Sequence, residues 1–260
     1  MEDNVQLRVY GEAALPTLVY LPGMHGDWTL IGGFRKAVAG KVRFVEMTYP
    51  RTLTWTVEDY AAGIEEALAL AGISRGWLLG ESFGSQPLWS MVARGKFEVQ
   101  GVILAGGFVK YPGQWFMGLT QKIVGRLPSG FFLRVIFGYA KITRFFYRRS
   151  PETLASLDEF LARRRTETDR EAVQHRVNLV GQNDPREIAK KIKVPVYGLT
   201  GLIDGLVAWP RVRRWLRRNC PTLRDYVVVR RADHNVLNTG TKESAQWILR
   251  WITEVERNVS

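Results

Sequence analysis

The stretch Trp77-Leu78-Leu79-Gly80-Glu81-Ser82-Phe83-Gly84 decides the fold class of this chain. It begins with a short apolar run that is typical of a buried strand, and residues 86–93 beyond it have the spacing of a helix. Between the two, GESFG matches the pattern G-x-S-x-G, whose glycines let the backbone turn sharply without Cβ clashes. This unit predicts that Ser82 is held at the carboxyl end of the strand, beside the positive end of the next helix.

The rest of the chain also alternates short apolar strands with helices. Strands are predicted at 5–10, 17–21, 42–48, 77–80, 101–107, 195–201 and 226–231, and helices at 57–71, 86–93, 210–218 and about 242–256. Before the helix at 57–71, Thr56 and Asp59 resemble a capping box, and Gly72 follows as a stop signal. Continuous apolar strands separated by helices indicate an α/β fold with a mostly parallel central sheet flanked by helices.

Residues 108–193 interrupt this alternation. They contain no convincing strand and are rich in aromatic and arginine residues, including the run Arg163-Arg164-Arg165. We predict a helical insertion here, with the core formed by residues 1–107 and 194–260. Within the insertion, 133–149 is amphipathic, with a basic side that could make weak contact with an anionic membrane. A helix with a solvated basic side is the simpler interpretation of that pattern.

Composition limits the classes of protein that remain. The chain has 260 residues, of which 46% are hydrophobic and 24% charged, which excludes wholesale disorder and collagen-like or low-complexity chains. Its sequence shows no membrane-length apolar run and no signal peptide, and the single Cys220 cannot form an intramolecular disulfide, so we expect a cytoplasmic protein. The formal charge of +12 could serve an anionic partner. No nucleic-acid-binding module is visible, so nucleic acid is not expected.

A serine hydroxyl needs a base before it becomes a good nucleophile. The chain has three histidines, His25, His175 and His234. His234 follows the predicted strand at 226–231, so it should lie at the same edge of the sheet as Ser82. His175 lies in the insertion, and His25 lies in a glycine-rich loop before Ser82. We therefore predict that His234 is the base.

The base in turn needs a carboxylate to fix its tautomer. Asp204 follows the predicted strand at 195–201 and lies between Ser82 and His234 in chain order. Asp233 is adjacent to His234, and neighbouring side chains usually diverge. Asp225 precedes its predicted strand and would lie at the wrong edge of the sheet. Asp204 is the predicted partner.

Acyl transfer also requires hydrogen-bond donors for the developing oxyanion. The backbone N–H of Phe83 is one candidate, at the start of the helix after the turn. The second should come from the small-residue loop Pro22-Gly23-Met24-His25-Gly26-Asp27 that follows the predicted strand at 17–21. Within this loop, the N–H of Met24 is the predicted donor.

Taken together, these stretches resemble the α/β-hydrolase superfamily over nearly the whole chain. LPGMHGD resembles its oxyanion loop, GESFG its nucleophile elbow, GLIDGLV its acid loop and ADHNV its histidine loop, in the order of that fold. The insertion falls where the superfamily commonly carries a helical cap. The resemblance implies a serine hydrolase acting on carboxylic esters, with a small, apolar ester or acyl substrate and no metal or organic cofactor.

Several other functions would use the same residues. A thioesterase, a C–C hydrolase, or an acyl or enol transferase acting on an acidic metabolite would share this constellation, and so would a ligand-binding protein that retains it.

Overall fold

A computed structural model of the chain describes residues 4–113, 141, 144–145, 148, 150–163 and 167–257. Seven strands form one sheet: β1 (Gln6–Tyr10), β2 (Thr17–Leu21), β3 (Arg43–Thr48), β4 (Arg75–Glu81), β5 (Glu98–Ala105), β6 (Val196–Gly201) and β7 (Leu223–Val229). Their order across the sheet is β1-β3-β2-β4-β5-β6-β7. Only β1 runs antiparallel to its neighbour in this sheet. The structure thus confirms the predicted α/β fold with a mostly parallel sheet.

Helices connect the strands and cover the sheet. In chain order they are α1 (Gly32–Val38), α2 (Val57–Leu70), α3 (Ser85–Arg94), α4 (Pro151–Arg163), α5 (Glu167–Gln182), α6 (Arg186–Lys191), α7 (Trp209–Asn219), α8 (Val236–Thr239) and α9 (Thr241–Arg257). A single 3-10 turn, Ser82–Gly84, joins β4 to α3. The carboxyl ends of the parallel strands meet at one edge of the sheet, which is formed by the connecting loops. Ligands bind at this edge in folds of this kind.

Strand β2 shows why its sequence is continuously apolar. Val19 and Leu21 belong to the core cluster that includes α2, α3 and α7. Leu18 and Tyr20 belong to the cluster on the other face, which includes α1 and α9. Because successive side chains of a strand point to opposite faces, a strand covered on both faces must be apolar at nearly every position.

The predicted capping box of α2 is present. Thr56 Oγ1 accepts a hydrogen bond from the Asp59 N–H at 3.2 Å, and Asp59 Oδ2 accepts one from the Thr56 N–H at 2.8 Å. The prediction missed α1 and α8. Helix α1 begins with Gly32-Gly33 and has no side-chain cap, and α8 has only four residues. Helix α1 lacks a helix-start signal, and α8, although Asn235 occupies its N-cap position, is too short to show helical periodicity.

Strand β7 begins earlier than predicted. It starts at Leu223 and includes Asp225, which was expected to precede the strand. The prediction excluded Arg224 and Asp225 because they interrupt the apolar run. They are tolerated in β7 because this strand lies at the edge of the sheet, where polar side chains can face solvent at little cost.

The region 108–193 contributes α4, α5 and α6, and its described residues contain no strand. The amphipathic stretch 133–149 lies outside the described residues apart from a few isolated positions, and so do Arg164 and Arg165. Within the described residues, no helix is both long enough and apolar enough to cross a bilayer.

Candidate active site

The turn after β4 holds Ser82 in a strained conformation. Its φ of +50° makes it the only non-glycine residue with positive φ among the described residues. Such strain persists only where surrounding structure enforces it, and it is frequent at functional sites. Gly84 is one such constraint, because a Cβ at this position would lie 2.1 Å from the carbonyl oxygen of Leu21. Ser85 adds another, since its hydroxyl donates to the Ser82 carbonyl at 2.6 Å. The turn therefore projects the Ser82 side chain from the end of β4.

Ser82, His234 and Asp204 form an unbroken chain of hydrogen bonds. His234 Nε2 lies 2.9 Å from Ser82 Oγ, and His234 Nδ1 lies 2.9 Å from Asp204 Oδ2. With the proton on Nδ1, the imidazole donates to Asp204 and accepts from the Ser82 hydroxyl. The three residues come from the loops after β4, β6 and β7, as the sequence predicted. This arrangement can deprotonate a serine hydroxyl.

The Asp204 carboxylate is itself fixed by backbone donors. Its Oδ1 accepts the N–H groups of Leu206 and Val207, both at 2.9 Å. Its Oδ2, which faces His234, is also 3.4 Å from the Thr200 hydroxyl. The loop thus presents one carboxylate oxygen to the imidazole and holds the other in place.

The surroundings of His234 act on its pKa in opposite directions. Burial is the largest single influence and disfavours the imidazolium, but the hydrogen bond and the charge of Asp204, with the charges of Glu81 and Asp233, together outweigh it. The net result is a pKa above the ordinary histidine value. An imidazole that is readily protonated is suited to receive a proton during a reaction.

The rejected candidates lie elsewhere. Asp233 Oδ1 accepts from the Asn235 N–H at 2.9 Å and the Thr239 hydroxyl at 3.0 Å, so it shapes the loop that carries His234. Asp225 Oδ2 accepts from the indole of Trp251 at 3.2 Å. His175 Nε2 lies 2.7 Å from the Trp55 carbonyl oxygen. None of these side chains replaces His234 or Asp204.

The loop between β2 and α1 lies directly beside Ser82. A Cβ placed on Gly23 would be 3.4 Å from the Ser82 Cβ and equally close to the His25 ring. The Gly26 N–H donates to the Gly23 carbonyl at 2.9 Å, which closes a tight turn around Met24 and His25. Phe83 follows Ser82 in the 3-10 turn. The positions of Met24 and Phe83 are compatible with the predicted oxyanion donors, whose role stays a prediction.

Sequence reasoning missed Arg176 of α5. This side chain is buried, and its guanidinium donates to the carbonyl of Met24 at 2.9 Å and to that of Pro50 at 3.2 Å. A third bond goes to the Tyr60 hydroxyl at 3.3 Å. The guanidinium lies against Gly26, since a Cβ there would be 2.6 Å from its central carbon. A buried charge with such specific partners holds the loop around Met24 in one geometry.

A second buried carboxyl lies next to the elbow. Glu81 precedes Ser82, and the Tyr20 hydroxyl donates to its Oε2 at 2.5 Å. Burial raises the pKa of Glu81 to about 7, although the bond from Tyr20 and the charge of His234 pull it down. Tyr20 belongs to the core cluster that includes α1 and α9. Its hydrogen bond therefore ties the Glu81 carboxyl to that face of the sheet.

No group of three or more His, Cys, Asp or Glu side chains among the described residues is arranged to hold a metal ion.

Comparisons with known proteins place this geometry in a known fold. No protein-family model and no curated protein matches the sequence. Among solved structures, a hydrolase from Pseudomonas aeruginosa PA01 is similar at TM-score 0.78 with 14% identity, covering 95% of this chain and 94% of that one. An esterase from Exiguobacterium antarcticum has TM-score 0.76 with 16% identity, covering 96% and 95%. The enol-lactonase from Burkholderia xenovorans LB400 has TM-score 0.74 with 19% identity, covering 96% of each chain. The chain therefore has the α/β-hydrolase fold.

Proposed function

We propose that this protein is a serine hydrolase that cleaves carboxylic esters through an acyl-enzyme intermediate. The observation that carries the proposal is the unbroken hydrogen-bond chain from Ser82 through His234 to Asp204, with both links at 2.9 Å. The strained φ of Ser82 supports it independently, because nothing about a structural serine requires that conformation.

The proposed reaction has two halves. His234 takes the proton of Ser82 as the hydroxyl attacks the ester carbonyl, and the N–H groups of Met24 and Phe83 receive the oxyanion. His234 then returns the proton to the leaving alcohol, which departs and leaves an acyl group on Ser82. In the second half His234 deprotonates a water molecule that attacks the acyl carbonyl, and the carboxylic acid is released as Ser82 regains its proton. Asp204 stabilises the imidazolium in both halves.

We further propose that residues 108–193 form a helical cap over an apolar substrate site. Phe160 of α4 contacts the His25 ring edge-on, with ring centroids 6.1 Å apart, and Arg176 of α5 bonds to Met24. Helices α4 and α5 thus both contact the loop beside Ser82. A cytoplasmic location is also proposed, on the ground that Cys220 is free and is the only cysteine of the chain.

Lactones are a second candidate class of substrate. Besides the enol-lactonase, the similar structures include an N-acyl homoserine lactonase, with TM-score 0.74 and 16% identity. A lactone is a cyclic ester, so its opening needs the same nucleophile, base and oxyanion donors, while the leaving alcohol stays attached to the acyl group.

The test compares wild type with Ser82→Ala on p-nitrophenyl esters from acetate to palmitate and on a lactone series. Wild type should hydrolyse at least one series, and the best chain length reports the size of the acyl site. A fluorophosphonate probe should label Ser82, as located by peptide mass spectrometry. Ser74→Ala, at an exposed serine, is the matched control and should behave as wild type. Turnover that survives in Ser82→Ala would contradict the proposal.

A further inference from the structure

Helix α7 has a strongly basic outer side. Its inner side is buried through Val212 and Leu216. Five arginines occupy most of the remaining positions: Arg211, Arg213, Arg214, Arg217 and Arg218. All of them are exposed except Arg213, which is partly covered and lies near the ring of Tyr226. Arg213, Arg214, Arg217 and Arg218 line one shallow groove together with Trp209 and Pro210.

Within the part of the chain that the structure describes, no carboxylate neutralises these arginines. None of the five forms an ion pair with a carboxylate in the described part of the chain, whereas other surface arginines do: Arg94 with Glu65, Arg186 with Asp184 and Arg250 with Glu254. Five like charges along one short helix repel one another unless an external anion compensates them. The arrangement indicates an anionic partner rather than a set of internal salt bridges.

The loop directly before α7 is exposed and apolar. Leu202 is 48% exposed, and Ile203 and Leu206 are each 65% exposed. The described residues contain eight exposed large hydrophobic side chains, and three of them lie within this five-residue stretch. Such clustering differs from the single exposed apolar residues that occur on any surface.

We propose that loop 202–206 and the outer side of α7, together called the α7 surface, dock the protein on an anionic lipid bilayer. The arginines would contact lipid phosphates, and the aliphatic side chains would enter the boundary between headgroups and acyl chains. A nucleic acid would satisfy the arginines but would leave Leu202, Ile203 and Leu206 exposed to water. A bilayer accommodates both halves of the surface.

The α7 surface is distinct from the anionic-membrane contact expected from the sequence. That expectation rested on residues 133–149 of the insertion, whereas α7 lies in the predicted core. Asp204 belongs to the same loop, so docking would bring the Ser82–His234–Asp204 group close to the bilayer. Binding itself does not depend on the proposed ester cleavage, and it can be measured on Ser82→Ala protein.

The first experiment measures co-sedimentation with phosphatidylcholine vesicles, with and without phosphatidylglycerol. We expect wild type and Ser82→Ala to bind only the anionic vesicles. The triple variant Arg214→Gln, Arg217→Gln, Arg218→Gln should bind about 100-fold more weakly, because each basic side chain near an anionic leaflet is worth roughly a factor of five. The matched control replaces three exposed lysines outside the α7 surface, Lys36, Lys41 and Lys96, by Gln. It loses the same charge and should bind as wild type.

A second pair of variants tests the apolar half. Leu202→Ser with Ile203→Ser should weaken vesicle binding at least tenfold and leave a remainder that disappears in about 1 M salt, where charge interactions are screened within about 3 Å. Leu53→Ser with Leu70→Ser, at exposed leucines elsewhere, should have no effect. Thermal unfolding of each variant verifies that it is folded.

Three outcomes would overturn the proposal. The first is no binding of folded wild type to anionic vesicles. The second is equal weakening by the arginine variant and its lysine control, which would mean that net charge alone causes binding. The third is tight binding to an oligonucleotide that the arginine variant loses and the Leu202/Ile203 variant keeps. That result would assign the α7 surface to nucleic acid.

Discussion

The carboxyl edge of the sheet and helix α5 both contribute buried polar side chains to the candidate site, but these side chains have different partners. The carboxyl edge of the sheet supplies Ser82, His234 and Asp204, which bond to one another. Helix α5 of the predicted insertion supplies Arg176, which bonds to the carbonyls of Met24 and Pro50 and to the Tyr60 hydroxyl. The comparison teaches that the side chains suited to proton transfer come from strand ends, whereas a side chain of α5 fixes the backbone beside them.

The largest expected effect comes from the sheet edge. Ser82→Ala should lower kcat by about 10⁶-fold, because it removes the proposed nucleophile. Ester hydrolysis with a sensitive chromogenic substrate measures the loss, and thermal unfolding should change little. If the loss were no greater than that caused by a change at Arg176, the proposed division between the two regions would fail.

Asp204→Asn should lower kcat by roughly 10⁴-fold while leaving the fold intact, since an amide no longer stabilises the imidazolium or selects the correct tautomer. The pH profile gives a second readout. His234 must be neutral to act as a base, and its pKa is raised, so wild-type kcat/KM should rise with pH through a midpoint above about 6.5.

Because Asp204 is the main group that raises the pKa of His234, the midpoint in Asp204→Asn should shift to lower pH. Asp233→Asn is the matched control, since that carboxylate faces Thr239 and the Asn235 N–H. It should retain most of the activity. A greater loss in Asp233→Asn than in Asp204→Asn would reverse the assignment.

Changes at Arg176 of α5 should have intermediate effects. Arg176→Met should lower kcat by about 10²-fold with little change in KM, because the loop around Met24 loses its anchor while the reacting side chains remain. Arg176→Lys should recover part of the loss. Gln182→Met, at an exposed residue of the same helix, serves as the control and should be silent. Equal losses in kcat and in stability across both Arg176 variants would indicate a purely structural residue.

A double-mutant cycle sharpens this test. Gly26→Ala would force a Cβ within 2.6 Å of the Arg176 guanidinium, and Gly26 also has a φ of +78° that disfavours alanine. We expect Gly26→Ala to lower kcat as Arg176→Ala does, and the double variant to lose less than the sum of the two effects. Full additivity would show that Gly26 and Arg176 act independently.

The sequence allowed prediction of the sheet-edge residues but not of Arg176. Ser82, Asp204 and His234 each follow a strand, and parallel strands bring their carboxyl ends to one edge whatever lies between them in the chain. Arg176 has no such signal, because its partners are the backbone carbonyls of Met24 and Pro50, more than a hundred positions away. The sequence shows that residues 108–193 are rich in arginine, but this does not distinguish the buried Arg176 from the exposed arginines.

The smallest expected effect on activity concerns Glu81, which adjoins Ser82 in the chain but bonds to Tyr20. Burial raises its pKa to about 7 from an ordinary value of 4.5. Between about pH 4.5 and pH 7, Glu81 is therefore protonated in the folded protein and ionised in the unfolded chain. Glu81 therefore contributes about 3 kcal/mol of stability below about pH 4.5, and this contribution should be lost as the pH rises from about 4.5 to about 7.

Glu81→Gln keeps a partner for Tyr20 and removes this titration. We expect urea unfolding to give a flatter pH dependence than wild type, with kcat within about threefold of wild type, because the carboxyl is not placed to exchange protons with substrate. Glu66→Gln, at an exposed glutamate, should leave the wild-type pH dependence unchanged. Because the charge of Glu81 also raises the pKa of His234, the difference between the proteins reports the titration of Glu81 together with its coupling to His234. A large loss of kcat in Glu81→Gln with unchanged stability would instead show that the Glu81 carboxyl takes part in the reaction. A residue next to Ser82 in the sequence would then contribute to catalysis as the residues at the strand ends do.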